Sequence, residues 1–218
     1  MKKLIQGIVD FRNNLTEERR TLFAQLALGQ KPDALFIACS DSRVVPNLFA
    51  STNPGDLFVL RNIGNLIPSL SCTAHDNSVG AVLEFSVFNL NVSDIIICGH
   101  SECGAMQALA SGIDFGSSSH LNSWLKNGKI SLDRVKDGFT FNPELSFDNQ
   151  LSQVNVLQQM ENLHTYPFIA DRLKKKQLRI HGWWFDIAQA DVYCYEPNIH
   201  QFVLIDAIEG QLIIDRMK

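Results

Sequence analysis

Three residues at two places in the chain carry donor atoms of related kinds. Cys39 closes a short apolar run in "FIACSDSRVVP", and His100 and Cys103 stand three apart in "DIIICGHSECG". Two thiolates and one imidazole are a donor set suited to Zn2+, with His-x-x-Cys giving two donors from one turn and Cys39 a distant third. Three donors imply an open fourth position, which a structural site would fill with another Cys or His. No such residue stands at close spacing to the three, although a distant one could fold in. Each member also has a plainer explanation. Cys39 alone reads as a small buried hydrophobe. His100 beside Gly99 reads as a turn histidine, and Cys103 as an inert thiol or one activated by a helix N-terminus. Only the trio together, at the ends of two apolar runs, points to metal.

Asp41 and Arg43 lie two and four residues beyond Cys39. Two thiolates offset the formal charge of Zn2+, so a water on this metal ionises less readily than one on a three-imidazole site. Asp41 is placed to accept a hydrogen bond from such a water, while Arg43 holds the carboxylate as a charge-assisted pair. The plainer explanation is a simple surface ion pair worth little. A third option has Asp41 swinging onto the metal and closing it.

The elements that must position these groups read as α/β. "DALFIAC", "DLFVLRN" and "DIIICGH" (Asp33 to Cys39, Asp56 to Asn62, Asp94 to His100) are continuous apolar runs, as expected of parallel strands covered on both faces. Ala74 to Asn91 is long enough for the crossover helix that parallel strands require. Ligands in such sheets sit outside the carboxyl ends of strands, so the Cys39 and His100 ends meet if their strands are neighbours. Residues 5 to 28 read as helical up to Gly29, an N-terminal arm of about 30 residues with a first helix. Further helices are expected near His120 to Lys126, Leu151 to Leu163 and Pro167 to Lys175, and further strands at "LRIHGWWFDI" and "HQFVLIDAI". The expected whole is one domain over residues 1–218: a mostly parallel central sheet flanked by helices.

Composition narrows the function classes. The 218 residues are 45% hydrophobic and 19% charged, with a formal net charge of -4, an ordinary globular balance. The acidic balance and a single short basic run, Arg172 to Arg179, argue against a nucleic-acid partner. No window reaches the roughly 20 apolar residues that span a bilayer. Gln6 and Asp10 break up the N-terminal apolar residues before a signal h-region forms, so the expected location is cytoplasmic. Five cysteines, an odd count, then read as reduced thiols. Of these Cys98, Cys72 and Cys194 are expected to be core or surface thiols. His75, His120, His164, His181 and His200 are expected to be structural, with room for one to shuttle protons. Trp183 and Trp184 are expected to pack in the sheet or at an interface.

"CSDSR" followed by "HSECG", together with "GDLFVLRNIGNLIP" and Asn155 to Ile187, resembles the β-class carbonic anhydrases over most of the chain. The resemblance implies a zinc enzyme, one ion per chain, that interconverts carbon dioxide and bicarbonate through zinc-bound hydroxide. It implies a homodimer or higher homo-oligomer with active sites at subunit interfaces. By motif, Cys39, His100 and Cys103 become the metal ligands and Asp41 with Arg43 the catalytic dyad. Gln30 falls where the plant-type branch reaches into a neighbouring subunit's substrate pocket. Phe58, Ile63 and Gly104 fall where that branch lines the pocket, and Phe85 where it often carries Tyr. A second branch binds bicarbonate in a side pocket of Trp, Arg and Tyr, where this chain has Phe36, Arg61 and Phe185. Losing the indole N–H and the phenol O–H weakens such a pocket, so Asp41 is expected on Arg43 rather than on metal.

Two alternatives keep the site. One is hydrolysis of carbonyl sulfide or carbon disulfide. The other is a non-catalytic zinc-stabilised binding module, against which the intact Asp41 and Arg43 speak. A zinc dehydrogenase is disfavoured because no G-x-G occurs in the chain.

Overall fold

The computed structural model describes residues 1–71, 77–116 and 120–216. Along the chain come α1 (Lys2–Asn13), α2 (Glu17–Leu26), β1 (Ala34–Cys39), α3 (Pro46–Phe49), β2 (Leu57–Asn62), α4 (Ser78–Glu84) and β3 (Asp94–His100). There follow α5 (Gly104–Ser111), α6 (His120–Leu125), α7 (Lys129–Lys136), α8 (Phe147–Leu163), α9 (Pro167–Lys174), β4 (Arg179–Asp186), β5 (Asp191–Glu196), β6 (Gln201–Leu204) and α10 (Ala207–Arg216). The strands form one sheet in the order β2-β1-β3-β4-β5-β6. The first four are parallel, and β5 and β6 continue antiparallel.

Strand alternation divides the apolar runs between two faces. Leu35 and Ile37 of β1 and Ile95 and Ile97 of β3 pack with Val79 and Leu83 of α4 and Val156 and Leu163 of α8. Full burial of such a side chain contributes about 1.5–3 kcal/mol, so this layer is the main anchor of the strands that carry the site. Phe36, Ala38, Ile96 and Cys98 point the other way, against Val44 and Phe185, with Phe49 and Trp183 alongside.

Helix α8 lies close over β3 because Gly99 has no side chain: a Cβ there would stand 2.7 Å from Val156 Cγ2. Its buried polar face then holds the irregular backbone after β2. Asn155 Nδ2 donates to Gly64 O (3.1 Å), Gln159 Oε1 accepts from Ile67 N (2.8 Å) and Asn162 Nδ2 donates to Ile67 O (2.8 Å). These bonds satisfy peptide groups that no strand pairs.

The structure departs from the sequence reading at several boundaries. The single N-terminal helix is two, because Thr16 Oγ1 accepts from Arg19 N (3.3 Å) and caps a new helix whose first turn carries Glu17 and Glu18. The crossover helix is α4 followed by a π-helical turn, Phe85–Asn89; its expected start at Ala74, with Cys72 and His75, lies outside the described residues. The last expected strand ends at Leu204 because Asp206 Oδ1 accepts from Ile208 N (2.9 Å) and Glu209 N (2.8 Å), opening α10. Strand β5 and helix α7 were not anticipated.

Candidate metal centre

β1 and β3 are neighbours in register Ala38↔Cys98, so Cys39 and His100 leave the sheet at the same edge. The turn after β3 brings Cys103 back as the N-cap residue of α5. All three side chains are buried, and their donor atoms lie within 4.8 Å of one another, with the sulfurs 4.0 Å apart.

The donor chemistry fits a metal ion. His100 Nδ1 donates to Ser101 O (2.8 Å), which leaves Nε2 as the lone-pair nitrogen of the neutral ring. That Nε2 is buried beside two sulfurs with no hydrogen-bond partner among the described residues. A buried acceptor of this kind is costly unless something binds it. The hydrogen bond with Cys103 pushes the Cys39 thiol down to about 4, aided by Gly64 N, which donates to Cys39 Sγ (3.3 Å). Cys103 is pushed up by the same contact and by burial. Gly64 comes this close at φ +79, where a Cβ would meet Ala105 Cβ at 2.9 Å.

Asp41 and Arg43 form a two-pronged pair. Asp41 Oδ1 accepts from Arg43 N and Nε, both at 2.9 Å, and Oδ2 accepts from Nη2 at 2.7 Å. The Arg43 hydrogen bonds hold the Asp41 carboxyl well below the usual carboxylate range, despite opposing desolvation. Arg43 Nη2 also donates to Glu102 O (3.0 Å), tying the Cys39 loop to the Cys103 turn.

Sequence reasoning missed the groups that brace this arrangement. Arg61 is engaged with backbone: its Nε donates to Cys39 O (2.7 Å) and its Nη2 to Asp41 O (2.9 Å). Phe36 and Phe185 each pack on Phe49, with ring centroids 6.0 and 4.8 Å apart. Asn149 Oδ1 accepts from Glu102 N (2.8 Å), supporting a residue at φ 54. Ser152 Oγ donates to His100 O (2.7 Å) and accepts from Trp184 Nε1 (3.1 Å).

Of the residues placed in the substrate pocket, Phe58 and Phe85 come together, their ring centroids 5.7 Å apart. Ile63 is exposed, and its carbonyl accepts from Trp124 Nε1 (2.7 Å). Gly104 opens α5 onto free space, where a Cβ would meet nothing within 4 Å. Gln30 is exposed between α2 and β1, and no described hydrogen bond joins it to the other four. Cys98 is fully buried on the opposite face, its thiol pushed up by desolvation. Cys194 stands near Glu196 and Glu209, its thiol pushed up to about 11, chiefly by burial. Among the described residues no helix is long and apolar enough to cross a membrane.

A mostly parallel α/β sheet that gathers two cysteines and a histidine beside a locked Asp–Arg pair defines a protein with a group of residues that could hold a metal ion. The comparisons give that class its family. Residues 34–192 match the family model described as carbonic anhydrase. A carbonic anhydrase of Synechocystis sp. is 39% identical over 216 residues, covering 97% of this chain and 78% of that protein. The solved structure of the β-carbonic anhydrase CcaA superposes with a TM-score of 0.86 at 38% identity, covering 94% of this chain and 98% of the other. One of two tetrameric β-carbonic anhydrases of Sordaria macrospora gives a TM-score of 0.77 at 28% identity, over 88% of this chain and 95% of the other. The chain belongs to the carbonic anhydrase family and is a β-class enzyme.

Proposed function

We propose that this chain interconverts carbon dioxide and bicarbonate on a zinc ion held by Cys39, His100 and Cys103, with Asp41 and Arg43 as the groups that handle the adjacent proton. The observation that carries the reading is the buried Nε2 of His100, beside two sulfurs and with no hydrogen-bond partner among the described residues. When bound, zinc would supply the Lewis acidity that makes water a nucleophile. Three protein donors leave the remaining tetrahedral position to solvent and substrate.

The chain's own residues then decide which oxygen is accepted. Asp41 is ionised, so it accepts hydrogen bonds and cannot donate them. Oδ1 already takes two donors from Arg43, while Oδ2 takes one and keeps room for another. Oδ2 therefore selects a protonated oxygen, an O–H of water or of bicarbonate, and turns that proton away from the reacting lone pair. Arg43 fixes the carboxylate in this orientation. Arg61 braces the Cys39–Asp41 backbone and Asn149 the Glu102 turn, while Arg43 Nη2 on Glu102 O holds the two loops together.

The active unit is a homodimer or larger assembly. The exposed Leu4, Ile5, Ile8 and Phe11 of α1, with the exposed Ile63 and Phe85 near the site, support a second copy covering them.

Stopped-flow carbon dioxide hydration with metal analysis of the same sample tests this reading. About one zinc per chain is expected, with activity lost on chelation and restored by zinc. A chain that retains full hydration activity after its metal is removed would overturn it.

A further inference from the structure

A cavity of about 360 Å³ lies between the 141–145 loop, α8 and strands β4 to β6, and none of the three metal-binding candidates lines it. Its walls include Phe141, Trp184, Tyr193 and Phe202, with Phe141 and Phe202 5.2 Å and Trp184 and Tyr193 5.9 Å apart at their ring centroids. Asn142, Gln153, Asp186 and Gln201 also line it, and two of these carry the inference. Gln153 of α8 is only 4% exposed, and its Oε1 is buried with no hydrogen-bond partner among the described residues. Asp186, at the end of β4, is the one charged residue lining the cavity. Its Oδ1 accepts from Ala188 N (2.9 Å) and, weakly, from Ser101 Oγ (3.4 Å), and Oδ2 carries neither bond.

A buried amide oxygen with no donor calls for one, and a carboxylate lining the same cavity calls for a positive donor. The aromatic faces are the surfaces over which a cation is stabilised. A lone water would serve Gln153, yet the space is many times that of one water. From this convergence the geometry points to a binding site for a small organic ammonium ion, its N–H groups shared by Gln153 Oε1 and Asp186 and its apolar part held between the rings. The site is separate from the metal reading and does not depend on it.

Isothermal titration of the purified full chain with benzylammonium chloride tests the inference, with benzyl alcohol as neutral isostere and benzoate as anion. Saturable binding of the ammonium is expected, with benzyl alcohol at least about tenfold weaker and benzoate undetectable. Gln153→Leu and Asp186→Asn should each weaken ammonium binding about fivefold or more, with circular dichroism unchanged. Should one variant fail to fold, the other carries the test. Equal binding of benzyl alcohol would reduce the cavity to an apolar, water-filled space. Ammonium binding indifferent to both substitutions would place it elsewhere on an acidic protein, and no binding at all would leave Gln153 to water; each of these outcomes overturns the proposal.

Discussion

The fold carries two Asp–Arg pairs that are nearly alike as contacts and opposite in meaning. Asp41 and Arg43 are two residues apart and bonded at 2.7 and 2.9 Å. Asp94 and Arg179 are 85 residues apart and bonded at 2.7 and 2.8 Å. The first pair stands at the carboxyl end of β1, beside His100 and the two sulfurs. The second stands at the opposite, amino ends of β3 and β4, where Asp94 also meets Ser93 Oγ (2.5 Å) and His181 Nε2 (2.8 Å). Every oxygen of Asp94 is committed to neighbouring strand residues, whereas Asp41 Oδ2 takes a single donor. In the function proposed above, what sets the Asp41–Arg43 pair apart is the room left on one carboxylate oxygen beside the three donor residues. Distance and charge alone do not distinguish the two.

Removing each carboxylate in turn breaks the comparison open. Asp41→Ala is expected to lower kcat by about 100-fold or more, the scale of losing a positioned proton-handling group. Zinc content should stay near that of the wild type, because the three ligands remain. Stopped-flow rates with metal analysis check both halves; unchanged kcat would reduce the pair to a surface ion pair. Asp94→Asn should leave kcat per folded molecule within about twofold and instead lower stability by about 1–3 kcal/mol, since the carboxylate charge is lost and an NH2 donor replaces one of the two oxygens that accept from Arg179, His181 and Ser93. Urea unfolding of the variant measures that loss, and an equal fall in kcat would show that the far end of the sheet reaches the site.

The same contrast explains what was legible in the sequence. Cys39, Asp41 and Arg43 are local neighbours, and His100 and Cys103 share one turn, so their types and spacing announce the donor set before any fold is known. The strand runs follow because parallel strands buried on both faces are continuously apolar. Asp94 and Arg179 escaped notice because only the β3–β4 register joins them. Arg61 was visible as a residue but not as a brace, because its acceptors are the Cys39 and Asp41 carbonyls rather than side chains. Helix α8 buries Asn155, Gln159 and Asn162 against unpaired backbone, and a helix with a polar buried face gives no amphipathic signature. The split of α1 from α2 rests on one capping hydroxyl, Thr16, within a run that otherwise keeps helical spacing.

Acid titration gives the smallest and most discriminating effect. Burial opposes ionisation of Asp94 and is the largest single influence on it. The hydrogen bonds from Arg179, His181 and Ser93 together outweigh that influence and hold the carboxyl below its ordinary range. A group whose folded pKa is depressed stabilises the fold above its unfolded value, about 3.9 for Asp, and that contribution fades as pH falls toward the folded value. The stability gap between wild type and Asp94→Asn should thus be constant from neutral pH down to about pH 5 and shrink below it. Urea unfolding at pH 7, 5, 4 and 3 follows the gap directly. A gap that stays level to pH 3 would mean that packing around the carboxyl, rather than its charge, fastens β3 to β4. The cross-strand pair would then differ from Asp41 and Arg43 in kind as well as in place.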